Sequence, residues 1–175
     1  MRDTEGMALA EFTVAGALVE SAEGLLLVRN RRRGGSTDWS TPGGVIDPTD
    51  RTLRDGLARE VREETGLWVT SWEGPLYEVR AIAREMGWSM RCEVHRALTF
   101  DGELLVDDPD GIVVEACFTA HGFHDELLAE CSPWVREPLR DWIEHRWGAH
   151  EPRRYHYDVL GTTRSELQVV CTSRA

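Results

Sequence analysis

The chain has 175 residues, 41% of them apolar and 29% charged, and a net charge of −11. That size suits one domain, here residues 1–175, with a real core. The acidic balance excludes a general nucleic-acid or membrane-surface binder, since either needs a basic face. All twenty basic residues are arginine, which also excludes a lysine-based phosphate loop and a Schiff-base lysine.

In chain order, residues 1–10 are expected to fray. "FTVAGALVES" and "GLLLVRN" are apolar and flank the turn-like "SAEG", so they read as a strand pair. "RRRGGSTDWSTPGG" reads as loop; its Arg31-Arg32-Arg33 run is either a solvated edge or a phosphate or base contact. Thr52 is a helix N-cap with Asp55 three residues on, and Gly66 suits the position after a helix ending near Thr65. "LYEVRAIAR" and "SMRCEVHRALTF" flank "EMGW" as a hairpin, and "GIVVEACFT" is a further strand entered through the acidic loop "VDDPDG". "FHDELLAE" is a short helix. Ser132 and Pro133 open another helix, in which Pro138 is expected to mark a kink or a break. Residues 150–175 are read as a C-terminal extension of one or two strands.

Cys92, Cys117, Cys131 and Cys171 form no C-x-x-C pair, so free thiols in a reducing, cytoplasmic setting are expected rather than a zinc site. His121 and His124 form H-x-x-H in a loop-like context and read as solvated or capping residues. No apolar run is long enough to span a bilayer, and no secretory leader is evident, so no membrane association is expected.

The stretch "LAREVREETGL" carries the chemistry. Glu60, Glu63 and Glu64 stand at i, i+3 and i+4, on one narrow arc of a helix. Like charges so placed cost roughly 0.2–0.5 kcal/mol per pair. A solvated acidic face is the ordinary explanation. Three features point elsewhere: Leu53, Leu57 and Val61 form an apolar stripe beside the arc, "PGG" lies just upstream, and Asp107 to Asp110 supply more carboxylates. Clustered carboxylates with a backbone oxygen make a hard site suited to Mg²⁺ or Mn²⁺, and a cation would let an acidic protein meet a phosphate chain.

"GGVIDPTDRTLRDGLAREVREETGL" resembles the signature of the Nudix hydrolases (MutT-like), G-x5-E-x7-R-E-U-x-E-E-x-G-U with U aliphatic. Arg59, Glu60, Val61, Glu63, Glu64, Gly66 and Leu67 match its second half without a gap. The first half departs from it. Gly44 and Arg59 are 15 positions apart, one more than in the pattern, and the glutamate of G-x5-E is replaced by Asp50 or Arg51, depending on the end counted from. A one-residue insertion before Thr52 accounts for both.

The resemblance implies an α/β fold, a Nudix-type α/β/α sandwich with a mixed β-sheet. It implies hydrolysis of a nucleoside diphosphate linked to another group, with Mg²⁺ or Mn²⁺ as cofactor. Glu60 and Glu64 would be metal ligands, Glu63 would complete the set or act through water, and Gly43 would add its carbonyl while Gly44 keeps the turn open. Arg59 would orient a glutamate. The general base would be Glu64 or a loop carboxylate, with Glu115 favoured, unless Glu115 is only a surface charge. Arg29 would hold a phosphate; Trp39 would stack on a base or merely pack. The small-molecule substrate is foremost a nucleoside triphosphate, oxidised forms included. Nucleotide sugars, ADP-ribose and dinucleoside polyphosphates stay open, as does a non-catalytic nucleotide sensor. No stable nucleic-acid partner is expected, and the assembly is a monomer or homodimer.

Overall fold

The computed structural model describes residues 8–120, 124–163 and 166–175. Residues 1–7 of the segment expected to fray, and His121, lie outside them. The strands are β1 (Ala10–Leu18), β2 (Glu20–Ser21), β3 (Gly24–Arg31), β4 (Thr37–Ser40), β5 (Gly43–Val45), β6 (Trp68–Ala83), β7 (Trp88–Asp101), β8 (Val113–Thr119), β9 (Arg153–Leu160) and β10 (Gln168–Arg174). The helices are α1 (Leu53–Thr65), α2 (His124–Ala129) and α3 (Pro133–His145).

One sheet has the order β10-β9-β6-β7-β1-β5; β1 runs parallel to β7 and β6 parallel to β9, so the sheet is mixed. A second, antiparallel sheet joins β2, β3 and β4, with β8 on the other edge of β3. The expected pairing of the first two apolar strands is corrected in one respect. The chain breaks at Val19; the two-residue β2 makes the hairpin with β3, while β1 crosses to the other sheet.

Period-two alternation sorts the core. Ala15, Ala17, Val19 and Leu26 turn toward Leu57 and Val61 of α1, while Leu18, Leu25 and Leu27 join the opposite cluster with Leu139 and Trp142 of α3. Helices therefore cover both faces of the strands, as the α/β/α expectation requires.

Three further expectations are refined. β6 begins at Trp68, eight residues before Leu76, because the sheet absorbs Gly74-Pro75 as a bulge between the Glu73–Arg96 and Tyr77–Val94 pairings. Two strands, β4 and β5, lie within and just past the stretch read as loop. Pro138 neither ends nor divides α3. Among the described residues no helix is long and apolar enough to cross a membrane.

Candidate active site

The glutamate helix is bounded as its sequence dictates. Thr52 is extended, and its hydroxyl accepts from the Asp55 amide at 3.1 Å. Gly66, at φ 75°, turns the chain out and donates its amide to the Arg62 carbonyl. The side chains of Leu57 and Val61 anchor the inner face, which fixes where the glutamate arc points.

The arc meets the glycine turn. The Gly43 amide donates to Glu64 Oε2 at 2.8 Å. Gly43 has φ 135°, and a Cβ there would run into the Ala15 carbonyl. A Cβ on Gly44 would stand 2.6 Å from Glu60 Oε2. One glycine thus lets β5 lie against β1, and the other lets the backbone lie against Glu60.

Arg59 organises the rest. Its Nε and Nη2 donate to Asp50 Oδ1 and Oδ2 at 3.2 and 3.0 Å, and its Nη1 reaches Glu60 Oε1 at 2.8 Å and Glu63 Oε2 at 3.0 Å. Gly56, a residue that weakens a helix interior, leaves room here for the Asp50 loop, since a Cβ would fall 2.6 Å from Asp50 Oδ2. Arg51 is exposed and takes no part.

The carboxylates repel one another under partial burial. Glu64 is 8% exposed; burial pushes its carboxyl up to about 8, and Glu60, Asp108 and Glu63 add to the rise against the Gly43 amide. Burial also raises Glu60, opposed by Arg59 and reinforced by Glu63 and Asp110. Arg59 lowers Asp50. Among the described residues no three acidic, histidine or cysteine side chains form a finished metal cage. Glu63 turns to Arg59 instead of joining one. The donor chemistry nonetheless fits a hard cation. Glu60 Oε2 and Glu64 Oε1 make no hydrogen bond among the described residues, and both residues line one cavity with Gly43, Gly44, Asp108 and Asp110.

That cavity has about 1710 Å³. Val14, Ala15 and Gly16 of β1 line it together with Val79 of β6 and Met90, Cys92 and Val94 of β7, and the register of β1 gives its length. Gly16 stands beside Gly43, and Ala10 beside Trp88, six residues along the strand. At ~3.3 Å per residue the two landmarks are roughly 20 Å apart. The far end is apolar: Trp88 and Trp134 meet edge to face at 6.4 Å, with Met86 and Met90 beside them. No local pattern announces this pair, because Trp88 follows a turn and Trp134 lies in the first turn of a helix.

The remaining expected residues are placed as follows. Trp39 is 6% exposed and packs in the core while lining the cavity. Arg29 and Glu115 are cross-strand neighbours that pair with each other at 3.5 Å; neither lines the cavity. Arg29 also donates to Thr37 and lies 5.9 Å from the centre of the Trp39 ring. The structure thus brings Arg59, Glu60, Glu64, Gly43 and Gly44 together, holds Glu63 to one side on Arg59, and sets Arg29 and Glu115 apart.

The NUDIX domain family model matches residues 11–139. A MutT-like protein of Streptomyces ambofaciens is 43% identical over 61 residues, and the match spans little more than a third of either chain: 35% of this one and 37% of that one. Among solved structures, the E. coli ORF135 protein aligns with a TM-score of 0.62 at 20% identity, over 79% of this chain and 92% of its own. A MutT protein from Bacillus halodurans aligns with a TM-score of 0.59 at 21% identity, over 92% of this chain and 97% of its own. At such identities the solved structures speak for the fold.

Proposed function

This chain belongs to the NUDIX domain family, and on that footing we propose that it hydrolyses a nucleoside diphosphate linked to a further group, foremost a nucleoside triphosphate, with Mg²⁺ or Mn²⁺. The observation that carries the reading is the meeting of the Glu60 and Glu64 carboxylates with the Gly43-Gly44 turn inside a long cavity. A cavity with acidic oxygens toward one end and two tryptophans roughly 20 Å along suits a ligand with a phosphate chain at one end and a flat base at the other.

Glu60 and Glu64 would hold the cation, with the Gly43 carbonyl contributing an oxygen. When bound, the cation offsets the charge of the phosphate chain and lowers the pKa of a coordinated water. The protein's own part is orientation and proton transfer. Arg59, fixed by Asp50, holds Glu60 in place. Attack by water on phosphorus breaks one phosphoanhydride bond, the leaving phosphate departs with the bonding pair, and a carboxylate takes the water's proton. Glu64 and Asp110 line the cavity and can serve; Glu115 would have to move to do so. The β9 and β10 strands extend the same sheet through β6, which supports reading residues 1–175 as a single domain. The four cysteines are free, which accords with a cytoplasmic setting. A monomer or homodimer is proposed.

The test is a panel of nucleoside triphosphates (oxidised forms included), nucleotide sugars, ADP-ribose and dinucleoside polyphosphates, assayed with Mg²⁺ by phosphate release beside Glu64→Gln. Turnover of a triphosphate that disappears in the variant and in chelator is expected. Turnover of none of them, or full activity in Glu64→Gln, overturns the reading.

A further inference from the structure

The cavity has a charge problem. Among the described residues three cations line it, Arg32, Arg33 and Arg59, against seven carboxylates. Two of the three are already engaged. Arg59 is divided among Asp50, Glu60 and Glu63. Arg32 forks onto Asp38, with both contacts at 2.8 Å. Arg33 alone among them has no ion pair or side-chain hydrogen bond with any described residue, although it lines the same space.

The turn that carries Arg33 is built to stand free. The Arg32 amide donates to the Ser36 carbonyl and the Gly35 amide to the Arg32 carbonyl, which closes a tight loop between β3 and β4. Gly34 and Gly35 take φ 95° and 84°, and a Cβ on either would meet nothing within 4 Å. The turn is also tied to the acidic segment: the Arg31 amide donates to the Ile112 carbonyl at 2.7 Å, and Asp110, two residues away from Ile112, acts electrostatically on Glu60. The arginine turn and the acidic loop are therefore adjoining rims of one opening.

We propose that Arg33 binds the phosphate oxygens that project beyond the carboxylate cluster, and so selects substrates whose chain carries a third phosphate. This rests on the functional reading above and adds the residue that would select a triphosphate over the other substrates that reading leaves open. A cation held by Glu60 and Glu64 would offset the charge of the phosphates nearest that cluster. A third phosphate adds negative charge beyond that cluster, in a cavity whose charged lining residues are mostly acidic and where an unengaged guanidinium can donate two parallel hydrogen bonds. Arg29, the residue expected from sequence for a phosphate, is engaged with Glu115 and lies off the cavity. Arg31 is exposed and does not line the cavity, so it serves as a control of equal charge.

The experiment is calorimetric binding of Mg²⁺ complexes of methylene-bridged, non-hydrolysable nucleoside di- and triphosphates. Wild type, Arg33→Ala, Arg33→Lys and Arg31→Ala are compared. Arg33→Ala is expected to weaken the triphosphate analogue roughly tenfold or more, the scale of a charge-assisted hydrogen bond lost, and the diphosphate analogue no more than about twofold. Arg33→Lys should fall between, because an ammonium keeps the charge without the fork. Arg31→Ala should match wild type. Circular dichroism of each variant checks that the fold is kept. In steady state the Arg33→Ala loss should appear in KM with kcat retained. Unchanged triphosphate affinity in Arg33→Ala, or an equal loss on both analogues, overturns the proposal while the functional reading stands. Wild type that binds neither analogue overturns both, and the missing wild-type signal distinguishes that case.

Discussion

Asp50 and Arg59 meet fork to fork, Nε to Oδ1 at 3.2 Å and Nη2 to Oδ2 at 3.0 Å. The Nη1 that remains spans Glu60 and Glu63. A pattern that places a glutamate before the helix is met here by a shorter carboxylate from a loop one residue longer. The shorter stem is offset by Gly56, which lets the loop close onto the helix.

The first prediction follows from that strut. Asp50→Ala frees Arg59 to collapse onto Glu60 and Glu63, so kcat should fall roughly 10- to 100-fold, the range for groups that orient a metal ligand. The melting temperature should fall as well. Arg51→Ala removes an exposed side chain outside the network and should leave both unchanged. Initial rates and thermal melts of the two variants check this; a silent Asp50→Ala would show that the strut has no functional weight.

Much of this site was legible before folding, and the limits were physical. The helix bounds, Thr52 and Gly66, and the glutamate arc depend on local rules of capping and periodicity, and they stand as read. The β4 strand was hidden in a polar, Gly-, Ser- and Thr-rich stretch and is made by pairing with Val28 to Arg31 of β3, while β5 was hidden because Gly43 and Gly44 punctuate the chain and only the pairing with Ala15 and Gly16 of β1 makes a strand there. The start of β6 was hidden by Gly74-Pro75, a breaker that the bulge tolerates. Arg29 and Glu115 are expected from the family resemblance alone, and no local pattern announces the cross-strand register that sets them beside each other and off the cavity. Trp88 and Trp134 come from distant segments and meet only in three dimensions.

A second prediction concerns Gly56. On propensity alone, Gly56→Ala should stabilise α1 by about 1 kcal/mol. The added Cβ would stand 2.6 Å from Asp50 Oδ2 and 3.0 Å from Ile46 Cδ1, so a net loss is expected instead. In an Asp50→Ala background most of that conflict disappears, and the same substitution should become much less harmful. Denaturant melts of the single and double variants measure the coupling; additive effects would mean that the loop does not rest on Gly56.

A third prediction separates the candidate proton acceptors outside the helix. Asp110 lines the cavity and acts on Glu60, while Glu115 pairs with Arg29 away from it. Asp110→Asn should lower kcat by roughly 10²-fold if it takes the proton, within the range for a general base. Glu115→Gln should stay near wild type. The opposite order in kcat would restore Glu115 and require the β8 end of the cavity to rearrange on substrate binding.

The last prediction turns on Glu64 in the metal-free protein. Its folded carboxyl lies at about 8 against an ordinary value of 4.5. Between those values the folded state binds more protons than the unfolded state, so stability falls as pH rises from about 4.5 to about 8. The cause is a charge held in a buried site beside Glu60 and Asp108 with no cation to answer it. Glu64→Gln keeps the shape and removes the titration. In chelator at pH 8 the variant should therefore be more stable than wild type, by on the order of 1–3 kcal/mol, and the advantage should shrink steadily toward pH 5. Added Mg²⁺ should reverse the ranking at pH 8, because only wild type keeps the full ligand set and gains from binding to the folded state. Denaturant titrations of both proteins from pH 5 to 8, with chelator and with Mg²⁺, read all four arms. A wild type that is equally stable across this range in chelator, or a Glu64→Gln variant that gains as much from Mg²⁺ as wild type does, would mean that Glu64 is not a buried charge awaiting a cation.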